Sequence, residues 1–291
     1  MKRLYGIIGY PVAHSLSPVF QQAAFDATGS NAAYVPFEIL PDSLTEALAA
    51  LELLGVSGFN VTLPHKELLY SRLTNLDPLA RKVGAVNTIV RTENGWFGAN
   101  TDVPGFRLSL QSFLERSVGV GIKHPLVLGA GGSARSVVAA LCEMGFSALT
   151  IANRNRNRAQ ALVSFFRDSG MSQDVNVLDL SELRKGVGTG TDFVINTLSW
   201  DAFGDEFPLI DRSFISGVRG LYDLSYRRDG SPTPFLEIGV REGIPVEDGI
   251  GMLLEQGALS FEWWTGLPAP KRVMEEALSA CLGRSVGVQR S

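Results

Sequence analysis

Short apolar runs alternate with amphipathic stretches over the first hundred residues, and this alternation predicts strands and helices in turn. The run Leu4–Ile8 is short and apolar, as a buried strand is. Ser17 followed by Pro18 predicts a helix start, because hydroxyl side chains cap helices and proline suits the first helical position. We expect this helix to continue to about Thr28 and to stop at Gly29.

The same half of the chain ends in a predicted hairpin. Asn94-Gly95 lies between two strand-like runs, and this dipeptide accepts the backbone angles of a two-residue hairpin turn. Strand and helix alternation followed by a hairpin predicts a mixed sheet. The other elements expected here are strands at Ala33–Glu38, Phe59–Thr62, Thr88–Arg91 and Trp96–Phe97 and a helix at Pro41–Leu54.

A second α/β segment begins near residue 104. A buried strand is predicted at Leu126–Leu128, a helix over 136–144 and a strand over 148–152, which together form a βαβ unit. The pattern continues in the manner of a doubly wound parallel sheet. Further strands are expected at Val175–Leu178, Phe193–Asn196 and Leu221–Leu224, and two helices follow Gly251.

With 291 residues the chain is long for one hydrophobic core, so two domains are expected. The predicted fold class is α/β. An N-terminal α/β domain with a mixed sheet covers 1–103, and a Rossmann-like, doubly wound dinucleotide domain covers 104–250. The C-terminal helices, at about 251–291, are expected to return to the first domain.

Composition narrows the classes of partner. Hydrophobic residues make up 45% of the chain, charged residues 19%, and the formal net charge is -4. The absence of a long basic block argues against nucleic acid. The first apolar run is too short for a signal peptide or membrane span, so we expect a cytoplasmic protein without membrane contact. Two cysteines are interpreted as small buried hydrophobes, and no metal site is predicted.

A glycine-rich turn stands between the predicted strand and helix of the βαβ unit. Its residues are Gly129, Ala130, Gly131, Gly132, Ser133 and Ala134. Small residues allow a tight turn, close approach of a pyrophosphate to the backbone, and packing of the helix against the sheet. The alternative is a turn without a ligand, but the βαβ context favours a dinucleotide.

The residues after the second strand of this unit indicate which dinucleotide. NAD sites carry an acidic residue there, whereas this chain has three arginines, at 154, 156 and 158. A guanidinium chelates a ribose 2′-phosphate, which a carboxylate repels. A merely solvated basic helix start is the alternative, and it is electrostatically poor because cations disfavour a helix N-terminus. NADP is therefore predicted.

Four polar clusters follow predicted strands in the first domain, at residues 15–17, 60–66, 85–88 and 100–102. Each alone is explained by caps and turns. In order along the chain, however, the segments GYPVAHSLSP, NVTLPHK, GAVNT, NTD, GAGGSA, NR and DGIGMLLEQGALSFEWWTG closely resemble the signatures of shikimate dehydrogenases. The resemblance spans residues 5 to about 266.

The resemblance implies reversible reduction of 3-dehydroshikimate to shikimate by NADPH, in the pathway to chorismate and aromatic amino acids. Lys66 and Asp102 would form the catalytic pair beside the ketone and contact the substrate. Ser15 and Ser17 would bind its carboxylate, with help from Tyr226. The residues implied to hold the ring hydroxyls are Thr62, Asn87, Asp102 and Gln256.

The resemblance also implies the NADP-binding residues and a small assembly, a monomer or homodimer that acts on a small-molecule substrate. The cofactor-binding residues are the turn at 129–134 together with Asn153, Arg154, Asn155, Arg158, Leu224, Gly249 and Met252.

General chemistry agrees with these roles. Reducing a ketone places negative charge on its oxygen, so a cationic proton donor such as Lys66 stabilises the transition state more than the ground state. Asp102 would keep the ammonium oriented. Without the surrounding motif, Lys66 would be taken for a surface lysine at a helix start.

Three segments depart from the family pattern. A short Gly-Met-type turn is expected after Asn196, but Thr197–Asp201 carries Trp200 and no glycine. The stretch from Tyr226 to Thr233 is longer than usual, and Asn155 stands where threonine is common.

Two other functions remain open at this point. A quinate/shikimate dehydrogenase would differ in the residues near the two serines, because quinate has an extra hydroxyl on the carbon that bears its carboxylate. A non-catalytic protein that senses NADP or shikimate would have lost the lysine and aspartate pair.

Overall fold

The computed structural model describes residues 2–119, 121–171, 174–183, 190–199 and 214–286. The chain separates into two compact units. Unit 1 comprises Met1–Gly105 and Leu253–Ser291, and unit 2 comprises Phe106–Met252. Two helices run across the unit boundaries along the chain, α5 (Asp102–Phe113) and α10 (Ile250–Thr265).

Unit 1 contains a six-stranded mixed sheet, as predicted. The strands are β1 (Arg3–Gly9), β2 (Ala32–Glu38), β3 (Val56–Val61), β4 (Asn75–Leu76), β5 (Thr88–Thr92) and β6 (Gly95–Ala99). Their order is β2-β1-β3-β5-β6-β4. The pairs β1–β2, β1–β3 and β4–β6 are parallel, while β3–β5 and β5–β6 are antiparallel. The carboxyl end of β3 and the start of β5 therefore lie together.

Helices cover the sheet of unit 1. They are α1 (Ser17–Ala27), α2 (Leu44–Leu53), α3 (His65–Tyr70), α4 (Pro78–Val83) and α11 (Lys271–Leu282), with a 3₁₀ turn at Pro41–Ser43 before α2. The C-terminal helices return to this unit as expected. Helix α11 packs on α1, and Gln21 Nε2 donates a hydrogen bond of 2.8 Å to the carbonyl of Gly257 on α10.

Two local predictions for unit 1 are wrong. Ser17 is not the cap of α1: Leu16 occupies that position, and the Ser15 hydroxyl instead accepts the backbone N–H of Ser17 at 3.2 Å. The hairpin turn is also shifted by one residue, because Gly95 pairs with Thr92. The two loop residues are therefore Glu93 and Asn94. Gly95 has a left-handed backbone conformation with φ of 91°. Among the described residues, only glycines have a positive φ.

The described residues of unit 2 form a sheet of six parallel strands, which confirms the doubly wound sheet. They are β7 (Pro125–Leu128), β8 (Ala148–Asn153), β9 (Asp174–Asp179), β10 (Phe193–Asn196), β11 (Leu221–Asp223) and β12 (Val246–Glu247). The order is β12-β11-β10-β7-β8-β9. The order in which successive strands are added to the sheet reverses between β7 and β10. Ligands of such sheets bind at this point, outside the carboxyl ends of the strands.

The helices of unit 2 are α6 (Gly132–Glu143), α7 (Arg156–Asp168), α8 (Leu180–Leu183) and α9 (Pro234–Glu242), with a π-helical turn at Leu114–Val118. Helix α6 begins inside the glycine-rich turn, four residues before the predicted start. Leu126, Val194 and Leu221 from the central strands form a core with Phe235 of α9.

The cysteine interpretation is wrong for Cys281, which is exposed, and Cys142 is only partly buried. The buried stripe of α11 runs through Met274, Leu278 and Leu282, and Cys281 lies on its outer flank. No helix within the described residues has the length and apolar character needed to cross a membrane.

Candidate active site

The predicted catalytic pair meets in unit 1. Lys66 stands in the first turn of α3, and Asp102 is the first residue of α5. Lys66 Nζ lies 2.7 Å from Asp102 Oδ2, and the side chains are 11% and 4% exposed. Both side chains are largely shielded from solvent, so their electrostatic attraction is stronger than that of a surface pair.

The N-terminus of α5 supports the carboxylate. The carbonyl of Thr101 accepts the N–H of Gly105 at 3.0 Å, and Asn100 Oδ1 accepts that of Val103 at 3.1 Å. Asp102 therefore sits in the first turn, where the helix dipole favours a negative charge. The sequence NTD places the capping amide and the carboxylate at the same helix start.

The side chain of Asn87 has only one satisfactory orientation. Its Oδ1 accepts the backbone N–H of Thr101 at 2.7 Å, which can only donate. Its Nδ2 lies 2.8 Å from Asp102 Oδ1 and 3.1 Å from Gln256 Oε1. A carboxylate can only accept, so the contacts on its two ends fix the amide without ambiguity. Asn87 thus holds the second oxygen of Asp102 while Lys66 holds the first.

Gln256 reaches this cluster because α5 and α10 approach closely. A Cβ added to Gly105 would lie 2.7 Å from both N and Cβ of Gln256, so only glycine fits this position. Gln256 Nε2 donates to the carbonyl of Leu253 at 2.8 Å, which leaves Oε1 facing Asn87.

The two predicted carboxylate-binding serines lie at the start of α1. Ser17 is buried, and its hydroxyl hydrogen-bonds with that of Tyr34, which donates in turn to Asn60 Oδ1 at 2.8 Å. Burial raises the pKa of Tyr34 well above its usual range, and the hydrogen bond from Ser17 acts in the opposite direction.

Of the remaining predicted substrate-binding residues, Thr62 belongs to unit 1 and Tyr226 to unit 2. Thr62 follows β3 and is half-buried in unit 1, where its carbonyl accepts the N–H of His65 at 2.9 Å. Tyr226 belongs to unit 2, just beyond β11. Its contribution to carboxylate binding stays a prediction.

In unit 2, the predicted dinucleotide turn has the required backbone. Gly129 has φ of 110°, and its N–H donates to the carbonyl of Ala152 at 2.8 Å. A Cβ on Gly129 would collide with the hydroxyl of Thr197, so a larger residue would close the turn. Gly131 is the N-cap of α6 and provides no side-chain cap. The positive end of α6 is therefore presented by backbone, which suits a pyrophosphate.

The arginine segment at the start of α7 divides into different roles. Asn155 caps α7 by accepting the N–H of Arg158 at 3.2 Å, and Asn153 Nδ2 donates to the Asn155 carbonyl at 2.8 Å. Arg156 lies 3.1 Å from Glu182 Oε2. Arg154 and Arg158 are exposed at the same helix start, and no acidic residue is present in its first turn. The donor set fits a 2′-phosphate.

Leu224 and Gly249 are brought together beyond β11. A Cβ on Gly249 would overlap the carbonyl of Leu224, and the Gly249 N–H donates to the Ser225 carbonyl at 3.1 Å. Met252 follows on α10 and is buried. The expected departure after Asn196 is described only in part, because Trp200 and Asp201 lie outside the described residues.

Asp223, which sequence reasoning missed, is the last residue of β11 and connects the carboxyl end of this strand to its neighbours by hydrogen bonds. It accepts hydrogen bonds from Asn196 Nδ2 at 2.9 Å, from the Ser225 N–H at 2.9 Å and from the Thr233 hydroxyl at 2.5 Å. Burial raises the pKa of Asp223 to about 6, although the three hydrogen bonds oppose that shift.

Sequence reasoning also missed several buried polar residues beneath the catalytic pair. Tyr34 was given no part, and Asn60, Thr88, Thr101 and Ser260 were noted only as parts of their motifs, without a role of their own. Ser260 offered a signal, because it is a polar residue on the apolar α10, one turn beyond Gln256. Within the described residues no three His, Cys, Asp or Glu side chains group as metal ligands would.

Models of known protein families match three parts of the chain. Residues 7–89 match the shikimate dehydrogenase substrate binding domain, residues 115–201 match shikimate / quinate 5-dehydrogenase, and residues 249–278 match the shikimate 5′-dehydrogenase C-terminal domain.

Individual proteins match nearly the whole chain. The shikimate dehydrogenase (NADP(+)) of Thermosynechococcus vestitus is 40% identical over 287 residues, covering 97% of this chain and 96% of that protein. The enzyme of the same name from Geobacter metallireducens is 41% identical over 286 residues, covering 97% and 98%. A crystal structure of shikimate 5-dehydrogenase from Thermus thermophilus in complex with NADP(H) and shikimate has a TM-score of 0.76 at 32% identity, covering 96% and 100%.

Proposed function

The chain belongs to the shikimate dehydrogenase family, and we propose the following function and residue roles from that premise. The protein is an NADP-dependent shikimate dehydrogenase, an oxidoreductase that interconverts 3-dehydroshikimate and shikimate. The observation that carries the residue roles is the buried contact of 2.7 Å between Lys66 and Asp102, surrounded by amide side chains.

Lys66 acts as the proton donor in the proposed mechanism. NADPH, when bound, supplies the hydride that reduces the ketone. Negative charge then develops on the ketone oxygen, and the ammonium of Lys66 stabilises it before giving up a proton. A single group therefore serves as both counter-charge and acid.

Asp102 orients this ammonium and accepts a ring hydroxyl of the substrate. Its Oδ2 holds Lys66, and its Oδ1 is held by Asn87. Because a carboxylate oxygen has two lone pairs, each oxygen retains capacity for a substrate hydroxyl. Asn87, Gln256 and Thr62 line the same hydroxyl-binding region in this proposal, and Ser15 and Ser17 take the carboxylate with Tyr226.

NADP is held by backbone and arginine. The turn that contains Gly129 and Gly131 receives the pyrophosphate at the start of α6, while Arg154 and Arg158 chelate the 2′-phosphate beside Asn153 and Asn155. Leu224, Gly249 and Met252 are proposed to line the nicotinamide end. Arg156 has a smaller part, since Glu182 already pairs with its guanidinium.

The decisive assay compares two substrates and two cofactors. Purified protein is given 3-dehydroshikimate with NADPH, and shikimate or quinate with NADP or NAD, while the nicotinamide absorbance is followed. We expect the shikimate couple with NADP to be fastest. Quinate turnover with NAD that exceeds shikimate turnover with NADP would reject the substrate and cofactor assignment. Binding of both ligands without any oxidation of NADPH would reject the enzyme.

We also propose a cytoplasmic location and a monomeric or homodimeric state. Sedimentation of the purified protein tests the second of these. A single species of about 31 kDa or twice that mass is expected from the chain mass of 31.4 kDa, and a larger assembly contradicts it.

A further inference from the structure

Three buried hydroxyls meet beneath the catalytic pair in unit 1. Thr88 Oγ1 lies 2.7 Å from Ser260 Oγ and 3.1 Å from Thr101 Oγ1, and Thr101 Oγ1 lies 3.1 Å from Ser260 Oγ. Thr88 and Ser260 are 0% exposed and Thr101 is 1% exposed. We call Thr88, Thr101 and Ser260 the hydroxyl triangle. Buried hydroxyls are costly unless hydrogen-bonded, so the closed arrangement keeps all three satisfied.

Each corner of the hydroxyl triangle belongs to a segment that carries a proposed substrate-binding residue. Thr88 directly follows Asn87 at the start of β5, and Thr101 directly precedes Asp102 at the start of α5. Ser260 stands one helical turn beyond Gln256 and donates to its carbonyl at 2.9 Å. The triangle therefore joins three pieces of chain that are distant in sequence.

The available protons fix how Ser260 is used. Its single proton goes to the carbonyl of Gln256, which can only accept. Its oxygen then accepts from Asn60 Nδ2 at 2.9 Å and from Thr88. Through Asn60, Ser260 also fastens β3, the strand that precedes Thr62.

The hydroxyl triangle contacts the side chain of Asn87, which in turn donates a hydrogen bond to Asp102. The hydroxyl of Thr101 lies 3.2 Å from Asn87 Oδ1, the oxygen that also accepts the Thr101 N–H. The Thr88 proton is used on Ser260, so Thr88 acts on Asn87 through the backbone that joins these two neighbours. These contacts act on the orientation of Asn87, whose Nδ2 contacts Asp102 and Gln256. A displaced corner would thus move the groups around the reacting centre without touching the substrate.

We propose that Thr88, Thr101 and Ser260 are positioning residues that set the geometry of Asn87, Asp102 and Gln256 for the reaction. This inference rests on the proposed function. Near-attack geometry is sensitive to displacements of about 1 Å, which can cost about a hundredfold in rate. Ser260 is the corner on the helix that supplies Gln256, and its loss would let α10 shift against β5 and α5.

The test is Ser260→Ala, with kcat and both KM values measured on protein whose folded fraction is determined by circular dichroism. We expect kcat to fall about tenfold, a partial form of that geometric penalty, while KM for NADPH stays unchanged. The matched control is Ser109→Ala. Ser109 is a buried serine in unit 2 whose hydroxyl lies 2.8 Å from the hydroxyl of Tyr222, so it loses a similar contact away from the triangle.

A second pair of variants separates geometry from folding and serves if Ser260→Ala does not fold. Thr88→Val keeps the shape of the side chain and removes its hydroxyl, whereas Thr88→Ser keeps the hydroxyl and removes a methyl group. We expect the valine variant to lose kcat and the serine variant to regain most of it.

Unchanged kcat per folded molecule in Ser260→Ala, or equal losses in both Thr88 variants, overturns the positioning role. A wild-type protein that fails to oxidise NADPH with 3-dehydroshikimate instead rejects the proposed function, and the inference falls with it.

Discussion

The two candidate binding regions are built in opposite ways. In unit 1 the proposed substrate cluster, which surrounds Lys66 and Asp102, is a network of side chains from β3, β5, α3, α5 and α10, and these side chains hold one another by hydrogen bonds. In unit 2 the dinucleotide turn is a local piece of backbone between β7 and α6, shaped by glycine. One region is assembled from side chains that are distant in sequence, whereas the backbone donors of the other come from a few consecutive residues.

This difference has an energetic consequence. The substrate cluster keeps a lysine and a carboxylate nearly dry, so loss of either partner leaves an uncompensated charge. The dinucleotide region presents backbone N–H groups and exposed arginines. When one of these arginines is removed, water can solvate the groups that it leaves behind. We therefore expect substitutions in the first region to act strongly and as a group, and those in the second to act weakly and separately.

The largest effect is expected from Lys66→Ala. Removal of the proposed proton donor should lower kcat by about 10²–10⁴-fold, the usual contribution of such a group, with a much smaller change in shikimate affinity. Single-turnover kinetics and calorimetric binding measure the two quantities. The control is Lys82→Ala, an exposed lysine on α4, which should behave as wild type. A loss confined to binding would make Lys66 a binding group only.

Unit 2 also contains a buried hydrogen-bond network, around Asp223, so a strong effect there would show that the contrast between the two regions does not extend to the whole of each unit. Its pKa is raised to about 6 from an ordinary value of 3.8, so its stabilising contribution is complete below that ordinary value and is lost as pH rises through about 6. The loss corresponds to about 3 kcal/mol in unfolding free energy.

The measurement is urea unfolding of wild type and Asp223→Asn between about pH 4 and about pH 7. The variant does not titrate at this position, so the advantage of wild type should shrink as pH rises. Asp229→Asn is the contrast, because hydrogen bonds from Ser231 lower the pKa of Asp229 and the trend should not shrink in the same way. A constant gap for Asp223→Asn contradicts the shift.

The smallest effect is expected in the arginine segment. Arg154→Ala should raise KM for NADP about tenfold, the equivalent of one exposed charge-assisted contact of about 1.4 kcal/mol, and leave the use of NAD nearly unchanged. Arg156→Ala is the matched control and should change KM less, since Glu182 already pairs with that side chain. Equal losses with both cofactors would refute the 2′-phosphate assignment.

The same contrast explains what could be predicted from sequence. The dinucleotide turn and the replacement of an acidic residue by arginine are local patterns, and NADP followed from them. The comparisons confirm that assignment. The strands β7 to β11 were also predicted. Of these, β7, β8 and β10 are mainly apolar runs that a parallel sheet buries on both faces.

The substrate cluster resisted local reasoning. Asn60 meets Ser260, and Asn87 meets Gln256, across 200 and 169 residues of sequence. No spacing rule places those pairs. The family resemblance suggested that Asn87 and Gln256 are neighbours, and nothing suggested the pairing of Asn60 with Ser260. The strands β4 and β12 were missed because each has two residues and is defined by its partner. The turn at Gly95 was misplaced because its register depends on pairing with Thr92.

The return of α10 and α11 to unit 1 sets an order of assembly during protein synthesis. Gln256 and Ser260 leave the ribosome after the whole of unit 2, although they complete a cluster begun by residues 60–102. The nascent residues 1–105 thus hold Asn87 and Asp102 without their C-terminal partners until the last helices emerge. The contacts of Gly129 with Ala152 and Thr197, by contrast, can form once the chain has passed β10, so we expect the cofactor half to mature first.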